Sequence, residues 1–117
     1  MKVAIVGSRN LTVDLKKFLP ENIKEIVSGG AKGIDTFAKN YALENNIKLV
    51  EFLPNYKKYG IKAPLIRNTK IVEYSDVVFA FWNGTSRGTL DTIKKSKLFN
   101  KKLFLYRLKH NDNKILE

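Results

Sequence analysis

The chain has 117 residues, which is enough for one domain with a single hydrophobic core. It contains no cysteine, which excludes disulfides and thiolate metal sites, and its longest unbroken apolar run, residues 77–82, is far too short to span a bilayer. The net charge of +11 suggests a polyanionic partner such as nucleic acid, although a lysine-rich composition from an AT-rich genome gives the same charge with no partner.

The first part of the chain predicts two strands with a short helix between them. Residues 2–6 form an apolar, β-branched run that ends at Gly7 and is typical of a strand buried on both faces. No signal-peptide layout overlaps this run, so we expect a cytoplasmic protein. Residues 12–19 predict a short helix that begins with a capping threonine and ends before Pro20. A second strand is predicted at residues 25–27.

A longer helix and a third strand follow. Apolar residues recur at helical spacing along one face of residues 34–46. They are Ile34, Phe37, Ala38, Tyr41 and Ala42. Residues 47–52 predict the third strand, and residues 53–63 predict a loop that carries two tyrosines and three lysines.

The second half of the chain continues the alternation. Pro64 is suited to the first position of a helix, and we expect the inner face of that helix to carry Leu65, Thr69 and Val72. Residues 76–81 form the most apolar run, which predicts a strand in the centre of the sheet.

A last helix and a last strand close the pattern. The helix is predicted at residues 89–99, with Leu90, Ile93 and Leu98 facing inward and several lysines facing outward. The fifth strand is predicted at residues 102–106.

Strands that alternate with helices along the whole chain predict an α/β fold. We expect a single three-layer Rossmann-like domain with a five-stranded, mainly parallel sheet at residues 1–107. Residues 108–117 predict a polar, frayed C-terminal tail.

Four loops directly follow predicted strands, at residues 7–9, 28–33, 53–59 and 82–88. In a parallel sheet they all emerge at one edge, where ligands bind. Their glycines let backbone N–H groups approach an anion, and two helices that begin after these loops direct their positive dipole ends to the same place. The pattern predicts a phosphate or ribose-phosphate site, although ordinary strand-to-helix turns also favour glycine and capping residues.

Single residues within this edge point to the same chemistry. Arg9, Arg67 and Arg87 lie in or beside the loops, and a planar guanidinium binds phosphate with two bonds. Arg67 is the strongest candidate, because a cation near the beginning of a helix is unfavourable unless an anion joins it. Trp82 is suited equally to stacking on a base and to covering the sheet edge. Asp35 is suited to a ribose hydroxyl, to a role as a base, or to complementing the dipole of its own helix.

Standard cofactor motifs are not met. The run "GSRNLT" lacks the second and third glycines of the dinucleotide fingerprint, and no Gly-Lys-Ser/Thr follows the spacing of a P-loop. His110 has no companion in the tail, and no His, Asp or Glu cluster has metal-ligand spacing. We therefore predict no cofactor and no metal.

The motifs "VGSR", "SGGAKGID", "YKKYGIKA", "IRN" and "FWNGTSRGT" resemble, in order and spacing, the SLOG superfamily. Its members include the DNA-processing protein A (Smf) and the LOG phosphoribohydrolases, and the chain is most similar to the small stand-alone YspA-type group. The resemblance implies a nucleotide-derived ligand at the loop edge. Together with the loops described above, it predicts a ligand-binding set of Gly7, Ser8, Arg9, Ser28, Gly29, Gly30, Gly33, Asp35, Arg67, Asn68, Trp82, Gly84, Ser86, Arg87, Gly88 and Thr89.

One position departs from the hydrolase pattern. LOG-type hydrolases carry a glutamate three residues after the Gly-Thr pair, where this chain has Thr92, with Asp91 one residue early. A shift of one residue turns a helical side chain by about 100°. Asp91 is therefore a weak candidate for a catalytic role, and Asp35 is another weak candidate because complementing its helix explains it equally well.

Three hypotheses follow. The leading one is a protein that binds a nucleotide or nucleotide-derived ligand as a sensor, carrier or sequestering module. The alternatives are a nucleoside-monophosphate phosphoribohydrolase and a single-stranded nucleic-acid-binding protein. In the last case tyrosines would stack on the bases and two lysine groups would follow the backbone: Lys57, Lys58 and Lys62 in the loop, and Lys94, Lys95, Lys97, Lys101 and Lys102 around the last helix. The resemblance also makes a homodimer or larger homo-oligomer plausible, with no membrane partner.

Overall fold

The computed structural model describes residues 1–109. The strands are β1 (Lys2–Gly7), β2 (Glu25–Ser28), β3 (Lys48–Glu51), β4 (Val77–Trp82) and β5 (Lys102–Arg107). The α-helices are α1 (Ile34–Glu44), α2 (Tyr56–Tyr59), α3 (Ala63–Tyr74) and α4 (Arg87–Leu98). Single 3₁₀ turns lie at Leu15–Lys17 and Gly60–Lys62.

The five strands form one sheet in the order β3-β2-β1-β4-β5, and every neighbouring pair is parallel. All strands therefore end at one side, which we call the carboxyl edge. The chain builds outward from β1 to β3 in one direction and from β4 to β5 in the other, so the strand order reverses between β1 and β4. That reversal opens a crevice between the loops that follow these two strands.

Helical layers cover both faces of the sheet. On one face Ile34 and Ala38 of α1 pack with Leu11 and Leu15 against β1 and β4. On the other face α3 and α4 bury apolar residues such as Ile71 against the sheet. The predicted three-layer Rossmann-like fold is confirmed, with a sheet that is wholly rather than mainly parallel.

The helix predicted at residues 12–19 is wrong. Leu11, Val13 and Leu15 are buried while the residues between them are exposed, so burial there alternates with period two. A helix forms for one 3₁₀ turn only, where Asp14 Oδ1 accepts a hydrogen bond from the Lys16 N–H at 3.3 Å. Residues 11–15 thereby place three apolar side chains on the face of the sheet.

The predicted inner faces of the last two long helices are partly wrong. Leu65 is 46% exposed and Leu98 is 74% exposed. The last helix, α4, buries smaller polar residues instead, because their hydroxyls bond within the helix: Thr92 Oγ1 donates to the Gly88 carbonyl at 3.3 Å, and Ser96 Oγ donates to the Thr92 carbonyl at 2.8 Å. A polar face can be buried when each of its groups has a partner.

Two further boundaries differ from the sequence prediction. The loop predicted at residues 53–63 contains α2 and a 3₁₀ turn, neither of which has a buried residue. Leu108, which falls in the predicted polar tail, is 1% exposed and donates its N–H to the Trp82 carbonyl at 2.9 Å. The predicted fraying of residues 110–117, and His110 with it, lies outside the described residues.

Candidate functional site

A cleft of about 470 Å³ opens at the carboxyl edge, where the strand order reverses between β1 and β4. Its wall is formed by the end of β1, the loops after β1, β2 and β4, Tyr56 of α2, and residues of α3 and α4. Loops that are distant in sequence therefore meet at one place, as the parallel arrangement predicts.

The loop after β1 packs tightly against its neighbours. A Cβ on Gly7 would lie 2.5 Å from the Ile34 side chain and 2.7 Å from the Phe81 carbonyl oxygen, so this close approach requires glycine. The buried Ser8 donates its N–H to the Phe81 carbonyl at 3.0 Å, and its Oγ accepts from the Asn83 N–H at 3.1 Å. The first loop thereby fixes the loop after β4 on the opposite side of the cleft.

The loop after β2 is held by two side chains at its start and end. Ser28 Oγ accepts from the Gly30 N–H at 3.2 Å, and Asp35 Oδ2 accepts from the Ala31 N–H at 2.9 Å. Gly30 and Gly33 have φ angles of 71° and 77°, in the left-handed region that favours glycine. The loop therefore depends on backbone conformations that other residues rarely adopt.

Asp35 is an ionisable group in the cleft wall and is 8% exposed. Burial raises the pKa of its carboxyl group above the usual value of 3.8, whereas the Ala31 N–H and the charge of Arg67 act in the opposite direction. Glu51 adds to the increase through charge repulsion. Because Arg67 lies beside the carboxylate, its positive charge compensates the negative charge of Asp35 in the cleft wall.

Arg67 connects α3 to the glycine loop. Its Nη1 donates to the Gly29 carbonyl at 2.8 Å, and its Nε donates to Asn68 Oδ1 at 2.9 Å. Asn68 Nδ2 donates in turn to Asp91 Oδ2 at 3.0 Å, and the same carboxylate oxygen is paired with Lys95 Nζ at 2.8 Å. This chain of bonds orients the guanidinium in the cleft wall and directs Asp91 toward Lys95.

Asn83 organises the loop after β4. Its Oδ1 accepts from the N–H groups of Thr85 and Ser86, both at 2.9 Å, and its Nδ2 donates to Asn10 Oδ1 at 3.0 Å. Ser86 Oγ then caps α4 by accepting from the Thr89 N–H at 3.4 Å. The side chain of Asn83 therefore stabilises this turn, because glycine alone does not fix its conformation.

Trp82 covers this loop. Its indole Nε1–H donates to the Ser86 carbonyl at 3.0 Å, and the Arg107 guanidinium carbon is 5.9 Å from the indole ring centre. The same guanidinium packs over Gly84, where a Cβ would lie 2.9 Å from it. Of the two roles predicted for Trp82, these contacts support the cover over the sheet edge.

The four arginines of the chain all lie at the carboxyl edge. Arg9 follows β1, Arg67 contacts the loop after β2, Arg87 begins α4, and Arg107 ends β5. Lysines, by contrast, are spread over the whole surface; Lys102, for example, begins β5 at the opposite edge. The groups best suited to bidentate phosphate binding are therefore concentrated beside the cleft.

Residues 1–63 match the family model of DNA recombination-mediator protein A. The chain belongs to this family. The matched part contains the loop after β1 and the whole glycine loop up to Asp35, and the sequence-based assignment to the SLOG superfamily is confirmed.

A solved structure of DNA processing protein A from Helicobacter pylori has the same fold, with a TM-score of 0.71 and 25% sequence identity. The similarity covers 97% of this chain and 69% of that chain. The H. pylori structure is reported as showing the single-stranded DNA binding mode of that protein. No curated protein sequence matches this chain significantly.

Most motif residues predicted for this family site meet in the cleft. The predicted residues that line it are Gly7, Arg9, Gly29, Asp35, Arg67, Asn68, Ser86, Gly88 and Thr89. The remaining ones lie in the same loops and shape them from outside the lining: Ser8, Ser28, Gly30, Gly33, Trp82, Gly84 and Arg87. Their contact with a ligand stays a prediction.

Sequence reasoning missed three polar residues that line the cleft: Asn10, Asn83 and Thr92. A signal for Asn83 was present, because Asn before Gly-Thr-Ser is typical of a turn in which the amide oxygen accepts backbone N–H groups. Asn10 gives no such signal, since its role depends on a partner that is 73 residues away in sequence.

Two kinds of feature are absent from the described part of the chain, residues 1–109. No three His, Cys, Asp or Glu side chains there come close enough to hold a metal ion. None of the helices there is long and apolar enough to cross a bilayer.

Proposed function

We propose that the chain binds single-stranded nucleic acid, with DNA as the first substrate to test, through the cleft at the carboxyl edge. The observation that carries the proposal is the gathering of all four arginines at the edge that bears the cleft. The comparisons support it, because a relative with the same fold over nearly the whole chain is described binding single-stranded DNA.

The cleft has the donors that a phosphate requires. Arg67 has five N–H donors, and its bonds to Gly29 and Asn68 hold the guanidinium in a fixed orientation in the wall. Arg9 is exposed at the same wall. Charge-assisted bonds from two arginines are stronger than neutral ones, and the loop glycines allow the backbone to approach the same anion.

The size of the cleft favours a single strand over a duplex. A volume of about 470 Å³ lies within the roughly 300–1,000 Å³ of small-ligand sites. Such a cleft can hold a nucleotide, whereas a paired base lies inside the duplex and cannot enter it without being extruded. We therefore expect the strand to enter with its bases unpaired.

The same volume favours a second candidate function, the binding of a small nucleotide-derived ligand. This hypothesis led the sequence analysis, and the phosphate-binding groups would be the same. The comparisons now favour the nucleic-acid alternative. Competition distinguishes the two, because a small-ligand protein would bind a mononucleotide at least as tightly as an oligonucleotide.

The hydrolase alternative receives less support from the geometry. Asp91 is paired with Lys95, and the cleft-lining position at which hydrolase relatives carry their glutamate is occupied by Thr92. Asp35, the other weak catalytic candidate, holds the Ala31 N–H. We therefore assign both carboxylates to supporting the cleft rather than to a catalytic step.

Calorimetric titration with a twenty-residue oligothymidylate (dT20) tests the proposal. We expect a Kd below about 100 µM near physiological salt that weakens steeply as salt rises. Arg9→Ala should weaken binding by about tenfold, since a charge-assisted bond contributes about 1.5–3 kcal/mol. Lys48→Ala removes the same charge at the beginning of β3, on the opposite edge of the sheet, and should change the Kd less than twofold. Equal loss in both variants, or preference for a mononucleotide, would contradict the proposal.

A further inference from the structure

Residues 53–62, which we call the rim segment, cross the edge of the cleft with almost no burial. No residue of α2 or of the following 3₁₀ turn is buried. The segment nevertheless carries large apolar side chains, of which Tyr56 is 60% exposed and Ile61 is 94% exposed. These side chains do not stabilise the core, so their exposure requires another explanation.

Both ends of the rim segment are fixed to the site. Just before it, Phe52 donates its N–H to the Ser28 carbonyl at 2.9 Å. Just after it, Ala63 is 1% exposed and Pro64 lines the cleft, as does Tyr56. The segment therefore begins and ends beside the cleft and presents its exposed side chains next to it.

The rim segment is also strongly basic. Lys57, Lys58 and Lys62 are exposed, and no acidic residue occurs between Glu51 and Glu73. This long interval without a carboxylate combines positive charge with exposed apolar surface. Aromatic side chains interleaved with lysines suit a single strand, because bases stack on the rings while the cations follow the phosphates.

We propose that the rim segment is the second part of the binding surface, along which a single strand continues after it leaves the cleft. Tyr56 stacks on the base next to the cleft, Ile61 contacts the following base, and Lys58 and Lys62 pair with phosphates. This inference rests on the proposed function and adds to it the path of the strand. A duplex would hide the base faces that these side chains contact, so the partner is unpaired.

Matched charge removal tests the path. The double variant Lys58→Ala/Lys62→Ala is compared with Lys24→Ala/Lys48→Ala, which removes two exposed lysines at the opposite edge of the sheet, where β2 and β3 begin. Binding of fluorescently labelled dT20 is measured by anisotropy at several salt concentrations. The rim variant should weaken binding at least fivefold and lower the salt slope by about 1.4, since each phosphate contact on a single strand contributes roughly 0.7. The variant at the opposite edge should change the affinity less than twofold.

A stacking variant separates the aromatic contact from charge. Tyr56→Leu keeps an apolar side chain and should weaken dT20 binding at least fivefold with an unchanged salt slope, because stacking contributes about 1–3 kcal/mol per base. Photo-cross-linking with 5-iodouracil in the strand should attach to Tyr56. Circular dichroism confirms that each variant is folded.

Each outcome bears on one proposal. Equal losses in the two double variants, or an effect of Tyr56→Leu below twofold, overturn the path along the rim segment. If Arg9→Ala still weakens binding in that case, the cleft proposal stands alone. If the wild-type chain does not bind dT20, both proposals fail, and the rim segment would then be examined as a surface for an acidic protein partner.

Discussion

The two glycine-rich loops of the cleft look alike in sequence but are built differently. The loop after β2 depends on glycines with positive φ angles and on a buried carboxylate that accepts a backbone N–H. The loop after β4 depends on Asn83, whose amide oxygen accepts three hydrogen bonds. Each loop has glycine at positive φ, Gly84 at 90° in the second, but only in the second loop does one amide side chain gather the backbone N–H groups.

This difference shows that glycine content alone does not identify the support of a loop. Gly33 is crowded and strained, because a Cβ there would lie 2.4 Å from the Arg9 carbonyl oxygen. Gly88, at the start of α4, has open space where a Cβ would be. The same residue type is obligatory at Gly33 and replaceable at Gly88.

The largest expected effect comes from Gly33→Ala. The substitution combines a disfavoured φ of 77° with a backbone clash, so we expect the free energy of unfolding to fall by about 3 kcal/mol. Urea denaturation provides the measurement. Gly88→Ala is the matched control and should change stability by no more than about 0.5 kcal/mol, since alanine suits a helix. Similar losses at both positions would remove the contrast between these two glycines.

A smaller effect is expected from Asn83→Ala. The change leaves the N–H groups of Thr85 and Ser86 without their acceptor, and we expect a loss of about 2 kcal/mol in the free energy of unfolding. Asn83→Asp keeps the acceptor oxygens and should restore about half of the loss. If aspartate and alanine are equally destabilising, the amide oxygen does not support this loop as described.

The smallest effect concerns Asp35 and its pH dependence. Because burial raises its pKa in the folded state, folding binds a proton at this site. The contribution of Asp35 to stability is therefore greatest below its unfolded pKa of about 4 and decreases as pH rises through the folded value. Relative to Asp35→Asn, the wild-type chain should lose stability between pH 4 and pH 7 in urea denaturation. A constant difference between the two proteins would contradict the raised pKa.

Much of the fold was predictable because buried parallel strands carry a strong local signal. The apolar β-branched run of β1 and the apolar run of β4 identify the centre of the sheet directly. The helix predicted at residues 12–19 failed because its capping signal was local, whereas the alternating burial of Leu11, Val13 and Leu15 is imposed by the sheet beneath them. Tertiary contacts, rather than local helix propensity, therefore determine the conformation of this segment.

The cleft was predictable in outline, since strand ends in a parallel sheet must meet at one edge. Its internal bonds were not, because the contacts of Arg67 with Gly29 and of Asn83 with Asn10 join residues far apart in sequence. The inner face of α4 was missed for a related reason: Thr92 and Ser96 are buried only because their hydroxyls bond to carbonyls one turn earlier. Ligand contact, localisation and assembly stay predictions.

Trp82 is the only tryptophan of the chain, and its indole N–H is bonded to the carbonyl of the residue that caps α4. Tryptophan emission from the unlabelled protein therefore originates at a single point beside the cleft. A molecule that moves the cap, or comes close to the ring, should shift or quench that emission. The protein thus contains its own optical reporter, and titrations need no dye attached to either component.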